Sequence, residues 1–300
     1  EEPTPTGGGE QVALTGKIIF PVFHSDQASY DIFWWDVAGG SEPQFLMGEA
    51  SQPAASWDGT ALAFRRWKRD SRGIVAMNLT GMQGANYRRL TAQSFVEDAM
   101  PAFSPDGGTI VFSSRRESDR QSRLYVVPSG GGQERVLEQN FKPIIGVTPN
   151  WLKDGRIIYS GCVAESCGLV AINPDGANPT MITDHWTDSV PAPSPDGSRV
   201  AFMSQREGGW ELFVVNVDGS GLTRLTSNRA DDGLPAWSPD GSSITYASTE
   251  GGAWGIWVIA ADGSNPRQLF PIRSSVDGQV AGEDATKSRG WLEERVSWIP

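Results

Sequence analysis

The segment Pro235–Ser248, which reads PAWSPDGSSITYAS, contains the pattern that decides the fold. Its centre, SPDG at 238–241, is typical of a tight turn, because proline suits the second position of such a turn and glycine the fourth. The residues on either side predict short strands, and a third, almost wholly apolar strand is predicted at Trp254–Ala260. A strand with this composition is buried on both faces, as it would be in a stack of sheets.

Related turns recur along the chain at a regular interval. Their aspartates are at positions 58, 106, 154, 196 and 240, with spacings of 48, 48, 42 and 44 residues. A period of about 40 to 50 residues is typical of the blades of a β-propeller. The first copy lacks its own first strand, and Arg295–Ile299 resembles the strand that precedes the turn at Asp58. We therefore predict an all-β, six-bladed propeller of four-stranded antiparallel blades, closed by pairing of the C-terminal strand into the N-terminal blade.

The repeat resembles that of TolB-like propellers. In one copy the resemblance rests on Leu225-Thr226, Asp232, Pro235–Gly241 and Ile244–Ser248. In another copy it rests on Asp188, Pro191, Ser194–Gly197, Phe202–Arg206 and Asp218-Gly219. It extends from about Lys17 to Ile299 and implies the propeller domain only, since members of that family carry an α/β domain before the propeller.

Composition and charge narrow the range of partners. Lys plus Arg is 25 and Asp plus Glu is 36, so the net charge is −11, and a nucleic acid is not an expected partner. No apolar run reaches the roughly 18 residues of a membrane span, so we expect no membrane insertion. We also expect the protein to be a monomer. Residues 1–16 predict a flexible stalk that could tether an exported, periplasmic or cell-surface protein, and residues 17–300 predict one propeller.

Cys162 and Cys167 are the only two cysteines, and they fall across a predicted hairpin. Facing positions of a hairpin bring Cα atoms close to the distance that a disulfide requires. A metal site would need more ligands than these two thiols. We predict a disulfide, which indicates an oxidising compartment, with two unpaired thiols as the alternative.

Three aspartates, Asp98, Asp188 and Asp232, each stand three residues before the proline of a first strand. They are predicted on the face of the ring that carries the loops between second and third strands, which we call the loop face and expect to bind ligands. There they could form a carboxylate cluster at the channel mouth for a basic group. A divalent cation in the channel is the only cofactor considered. The alternative, which we favour, is a repeated structural hydrogen bond to a neighbouring blade.

Two basic loops are also predicted on this face. The first carries Arg65, Arg66 and Arg69, and the second carries Arg115 and Arg116. Such a cluster could bind an anionic partner, or it could be solvated loop charge, with Arg116 in the structural S-x-R position of the repeat.

The pair His185 and Trp186 is a further candidate for ligand binding on the loop face. An exposed aromatic ring suits a sugar or a peptide, although a packing tryptophan is the commoner case. The insertion at 271–293 could cover the channel as a lid, or could be a disordered connection.

These features favour a non-catalytic extracytoplasmic binding module. It would recognise a protein, a small molecule or an oligosaccharide through its loop face and channel mouth, and no catalytic residue is assigned. The first alternative is a carbohydrate-active propeller enzyme, a glycosidase or lyase, that uses channel carboxylates such as Asp98, Asp188 and Asp232. The second is a purely structural spacer.

Overall fold

The computed structural model describes residues 14–40, 42–68, 70–80, 87–91, 97–280 and 290–300. Within these residues the chain forms six four-stranded antiparallel sheets, which we number blades 1 to 6, and one separate two-stranded hairpin. The stalk predicted for residues 1–16 lies outside the described residues except for 14–16, and Arg69 also lies outside them.

The first half of the chain forms three blades and the hairpin. Blade 1 consists of β1 (Lys17–His24), β2 (Ser29–Asp36), β3 (Gln44–Met47) and the C-terminal β26 (Ser297–Ile299). Blade 2 consists of β4 (Ala50–Ala55), β5 (Ala61–Arg66), β6 (Gly73–Asn78) and β7 (Tyr87–Arg89). Blade 3 consists of β8 (Asp98–Phe103), β9 (Thr109–Ser114), β10 (Arg123–Pro128) and β11 (Arg135–Val136). The hairpin consists of β12 (Glu138–Gln139) and β13 (Lys142–Pro143).

The second half of the chain forms three further blades. Blade 4 consists of β14 (Gly146–Trp151), β15 (Ile157–Val163), β16 (Ser166–Ile172) and β17 (Thr180–Met181). Blade 5 consists of β18 (Ser189–Pro193), β19 (Arg199–Ser204), β20 (Glu211–Asn216) and β21 (Thr223–Arg224). Blade 6 consists of β22 (Asp232–Trp237), β23 (Ser243–Ser248), β24 (Gly255–Ala260) and β25 (Arg267–Pro271). A short 3-10 helix, Gly290–Glu293, precedes β26.

The ring is closed by the C-terminal strand, as the sequence predicts. In the antiparallel pairing of β26 with β1, Ile299 faces Lys17 and Ser297 faces Ile19. The first strands of successive blades contact one another in a closed cycle that runs β4, β8, β14, β18, β22, β26 and back to β4. The prediction of six four-stranded blades is therefore confirmed, although the closing strand begins at Ser297 and not at Arg295.

The S-P-D-G turns are held by a repeated set of hydrogen bonds. In blade 6 the Ser238 hydroxyl donates to the Asp240 carboxylate over 2.6 Å, and the same carboxylate accepts from the backbone N–H of Ser242 over 3.0 Å. Gly241 has a φ of +72°, a left-handed conformation that glycine adopts without strain. The aspartate of this motif is therefore a turn residue, and its hydrogen bonds explain why the motif recurs in blades 2 to 6.

Apolar clusters fill the interfaces between neighbouring blades. At the interface of blades 4 and 5, for example, Phe202 and Phe213 lie in one buried cluster with Ile158 and Leu169. Burial of one such side chain contributes about 1.5 to 3 kcal/mol, so the stacked blades account for the continuous apolar character of the middle strands. This packing is the physical reason for the apolar third strands in the sequence.

Candidate functional site

A cavity of about 220 Å³ lies on the ring axis at the face that carries the S-P-D-G turns. All six blades contribute to its wall, which is built mainly from small side chains, turn prolines and aromatic rings. The lining includes Ala54, Trp57, Ala102, Phe103, Asn150, Ala192, Pro195, Ala236, Trp237, Pro239 and Trp298. A concave, largely apolar site with few polar groups is the usual form of a ligand-binding pocket.

Arg295 forms part of the lining of this cavity and bridges two blades inside the ring. Its guanidinium donates to the carbonyl of Pro101 in blade 3 and to that of Pro149 in blade 4, each over 2.8 Å. Burial lowers the pKa of Arg295 to about 10, so the group still carries its charge at neutral pH. No carboxylate pairs with it within the described residues. The axial cavity therefore contains a buried positive charge.

The described parts of the insertion, residues 272–280 and 290–293, form what we call the strap. Trp291 packs against Trp254 of blade 6, with ring centroids 5.1 Å apart. Arg115 of blade 3 forms an ion pair with Glu293 over 2.5 Å, and Tyr30 of blade 1 donates to the carbonyl of Val276 over 3.2 Å. The strap therefore spans the ring at the loop face, opposite the axial cavity.

Asp98 and Asp188 are each buried against an arginine of their own blade, so the predicted hydrogen bond to a neighbouring blade is wrong for these two residues. Arg116 donates to the Asp98 carboxylate over 2.6 Å, and Arg206 donates to the Asp188 carboxylate over 2.5 Å. Both aspartates are almost completely buried, at 3% and 1% exposure. In each blade the arginine follows the aspartate by 18 residues.

Each of these two guanidinium groups also lies over a pair of aromatic rings. Arg116 is 4.6 Å from the ring centroid of Tyr125 and 5.5 Å from that of Phe112. Arg206 is 5.2 Å from Phe213 and 5.6 Å from Phe202 in blade 5. A cation in contact with both a carboxylate and aromatic faces is stabilised by both. We call this arrangement of aspartate, aromatic pair and the residue 18 positions later the arginine slot of a blade.

The arginine slot of blade 6 has no arginine. Asp232 is completely buried, and the residue 18 positions later is Glu250. One oxygen of Asp232 accepts from the side-chain amide of Asn228 over 2.9 Å, and the neutral hydroxyls of Ser248 and Thr226 also face this carboxylate. Burial raises the pKa of Asp232 to about 6, and the nearby charge of Glu211 adds to this rise.

His185 and Trp186 lie together on the connection between blades 4 and 5. Their rings stack with centroids 6.3 Å apart, and His185 Nδ1 is 2.8 Å from the Thr187 hydroxyl. Trp186 is 77% exposed, which is unusual for so large an apolar ring. The structure therefore brings these two candidates together at the surface.

The described arginines of the two basic loops lie in packed or paired positions. Arg65 and Arg66 are buried, and the guanidinium of Arg65 is 3.7 Å from the centroid of the Trp67 ring. Arg115 pairs with Glu293, whereas Arg116 pairs with Asp98 and also with Glu134. These four side chains are thus held by contacts within the chain and do not form a common exposed surface.

Cys162 and Cys167 form a disulfide at the tip of the β15–β16 hairpin, as predicted. The hairpin borders a second cavity on the loop face, between blades 3 and 4, whose other wall includes Gln139 and Lys142 of the β12–β13 hairpin. The tip of that hairpin carries Phe141, which is 97% exposed.

Within the described residues, no group of three or more His, Cys, Asp or Glu side chains could hold a metal ion. The three aspartates belong to three different blades, and two of them are paired with arginine. The same part of the chain contains no helix long and apolar enough to cross a membrane.

Comparison with protein families agrees with the blade geometry. Residues 185–284 match the family model described as the TolB beta propeller domain. The resemblance inferred from the repeats is confirmed, and the molecule is a six-bladed β-propeller. More particularly, its blades over residues 185–284 are similar to those of TolB propellers.

Two curated relatives and two solved structures show how far the similarity extends. The chain is 30% identical over 127 residues to an uncharacterized protein of Agrobacterium fabrum, covering 42% of each chain. It is 27% identical over 153 residues to the TolB homolog of Chlorobium luteolum, covering 51% of this chain and 34% of the relative. The matches therefore span less than half the length of these relatives.

Among solved structures, TolB from Acinetobacter baumannii superposes with a TM-score of 0.76 at 17% identity, covering 96% of this chain and 68% of that one. Oligogalacturonate lyase from Vibrio parahaemolyticus superposes with a TM-score of 0.55 at 12% identity, covering 83% of this chain and 73% of that one. At these identities both structures show the fold alone.

Sequence reasoning missed the polar residues that bridge the first strands near the axis. Besides Arg295, Gln52 accepts from the backbone N–H of Met100 over 2.7 Å, and Thr148 accepts from that of Val190 over 3.3 Å. The available signal was a polar residue directly before the first-strand proline, where other blades have Met100, Val190 and Leu234. Such a substitution in a repeat indicates a bond between blades.

Proposed function

We propose that this protein is a non-catalytic binding propeller that holds a segment of a protein partner in its axial cavity. The observation that carries the proposal is the combination of an apolar wall from all six blades with the buried charge of Arg295. Apolar side chains of the partner would fill the wall, and an acidic side chain or carboxyl terminus would be attracted to Arg295. The similarity to proteins named TolB supports a propeller of this class.

The contacts of the candidate carboxylates favour binding over catalysis. A glycosidase of the usual kind needs two carboxyl groups on either side of one bond. Asp98 and Asp188 are instead buried, belong to different blades, and are neutralised by Arg116 and Arg206. The superposition on a lyase concerns the fold and assigns no reaction to this chain.

On the loop face, the exposed ring of Trp186 stacked on His185 is the candidate contact for a small ligand such as an oligosaccharide. The Cys162–Cys167 disulfide supports an extracytoplasmic location, periplasmic or at the cell surface, because such bonds persist in oxidising compartments.

The proposal is tested by selecting peptides from a random twelve-residue display library on the purified protein. We expect selected peptides to combine apolar residues with an acidic group, and to lose at least tenfold in affinity for Ala192→Trp, which places a large ring in the cavity wall. Trp186→Ala, on the opposite face, is the matched control and should leave the affinity unchanged. Melting temperatures establish that both variants are folded. Peptides that bind Ala192→Trp as well as they bind the wild type would overturn the proposal.

A further inference from the structure

The arginine slots of blades 3, 5 and 6 share one construction. Each begins with a buried aspartate, Asp98, Asp188 or Asp232, at or next to the start of a first strand. Each also carries two aromatic residues that face each other across the second and third strands. These pairs are Phe112 with Tyr125, Phe202 with Phe213, and Tyr246 with Trp257. Blade 6 therefore keeps the carboxylate and the aromatic pair of the slot.

Of these three blades, only blade 6 has an acidic residue in place of the arginine of the slot. Where blades 3 and 5 have Arg116 and Arg206, blade 6 has Glu250, and neither Asp232 nor Glu250 forms an ion pair with a described residue. The neighbouring Glu211 is already matched by Arg224, at 2.8 Å. Two carboxylates thus meet at this position, and no cation of the described chain contacts either of them.

A neutral amide stands between these two carboxylates. The Asn228 side-chain nitrogen lies 2.9 Å from Asp232 and 3.4 Å from Glu250, on an exposed loop residue. Apart from this amide, the completely buried Asp232 faces only the neutral hydroxyls of Ser248 and Thr226. A buried carboxylate without a cation is costly, and a planar cation with several N–H donors would satisfy it better than neutral donors alone.

We propose that the arginine slot of blade 6 is a binding site for a guanidinium group, supplied by an arginine side chain of a protein partner. The guanidinium displaces the Asn228 amide, pairs with Asp232 and Glu250, and lies over Tyr246 and Trp257, as Arg116 and Arg206 do in their own blades. This site is separate from the axial cavity, because the slots lie at the loop-face ends of the blades, and it does not depend on the function proposed for that cavity.

The probe is a single capped arginine, N-acetyl-arginine-amide, titrated into protein whose tryptophan indole N–H signals are followed by NMR. The Trp257 signal is assigned from a Trp257→Phe variant. We expect a saturable shift of this signal with a dissociation constant on the order of 1 mM, as suits so small a ligand. The neutral isostere N-acetyl-citrulline-amide and N-acetyl-lysine-amide should each bind at least tenfold more weakly.

Two variants separate this site from nonspecific binding. Asp232→Asn removes the charge, and Glu250→Arg supplies the missing guanidinium from the chain itself, so each should abolish the shift, and Glu250→Arg should also raise the melting temperature. Asp262→Asn, which removes an exposed turn carboxylate of the same blade, should bind capped arginine normally. An absent shift, a shift retained in Asp232→Asn or Glu250→Arg, or equal binding of capped lysine would overturn the proposal.

Discussion

Blades 5 and 6 each bury an aspartate, but only blade 5 pairs that aspartate with a cation. In both, an aspartate is fully enclosed beside an aromatic pair. Blade 5 places Arg206 against Asp188 over 2.5 Å, whereas blade 6 places Glu250 at the corresponding position and meets Asp232 with the amide of Asn228. A pairing cation offsets the cost of burying a carboxylate, whereas a buried carboxylate without one is strongly destabilising.

The comparison shows that one repeat position serves structure in some blades and is free for another role in one blade. Asp98 and Asp188 have a structural role, but their partners are arginines of their own blades and not groups of a neighbouring blade. Asp232 has the same surroundings without the cation, and its pKa is raised to about 6 by burial. Recognition sites can arise in a repeat protein in this way, by loss of an internal partner.

The largest expected effect follows removal of the cation from blade 5. Arg206→Ala leaves Asp188 as an unpaired buried charge, and we expect a loss of about 3 kcal/mol in the free energy of unfolding at pH 7. Urea denaturation measures this loss. The control is Arg267→Ala, at an exposed arginine of blade 6, which should change stability by less than about 0.5 kcal/mol. A loss below about 1 kcal/mol for Arg206→Ala would contradict the claim that Asp188 depends on its paired arginine.

The next effect is a pH dependence of the free energy of unfolding that arises from Asp232 in blade 6. Asp232 has a folded-state pKa of about 6 against an ordinary value of 3.8, so its contribution to stability is fully present below about pH 4 and is lost as the pH rises through 6. A difference of two pKa units corresponds to roughly 3 kcal/mol as an upper value. The titratable or charged groups around it are Glu211, Glu250, Tyr246 and Arg224.

Urea denaturation between pH 4 and pH 8 tests this dependence. Asp232→Asn should remove the loss of stability with rising pH, and the variant should be more stable than the wild type at pH 8. Asp188→Asn is the matched change in blade 5 and should be destabilising at pH 8, since it breaks the pair with Arg206. Destabilisation of the same size by both substitutions would show that the two slots are equivalent.

The smallest expected effect concerns the amide that contacts Asp232. Asn228→Ala removes a hydrogen bond to a buried carboxylate and should cost about 1 kcal/mol at pH 8, with a smaller cost at pH 4 where Asp232 is protonated. Ser227→Ala, at the exposed neighbouring residue, is the control. A cost that does not change with pH would mean that Asn228 acts through its loop and not through the carboxylate.

The fold could be read from the sequence because its determinants are local and repeated. The turn at Ser238–Gly241 and the apolar strand after it specify one blade, and repetition of that unit specifies the ring. The closing strand was predicted from its resemblance to another first strand. Its exact start was not, because continuing the pairing of β26 with β1 would place Arg295 opposite Pro21, which has no N–H to donate.

The candidate sites could be read only in part. The recurrence of Asp98, Asp188 and Asp232 indicated a shared role, but their separate partners depend on residues 18 positions later. The replacement of arginine by Glu250 was visible in the sequence once that partner was known. The axial cavity depends on six blades meeting, so no single segment of the chain could indicate it.

The most direct test of the central claim is the pKa of the Asp232 carboxyl group, measured by carbon-13 NMR titration. The claim is that blade 6 has the same slot as blade 5 without its cation. We predict an apparent pKa of about 6 in the wild type, and a value below the ordinary 3.8 in Glu250→Arg, where the new guanidinium pairs with Asp232. Glu165→Arg, the same charge change at an exposed residue, should leave the wild-type value in place. A wild-type pKa of 3.8, or a value of 6 that persists in Glu250→Arg, would contradict the account.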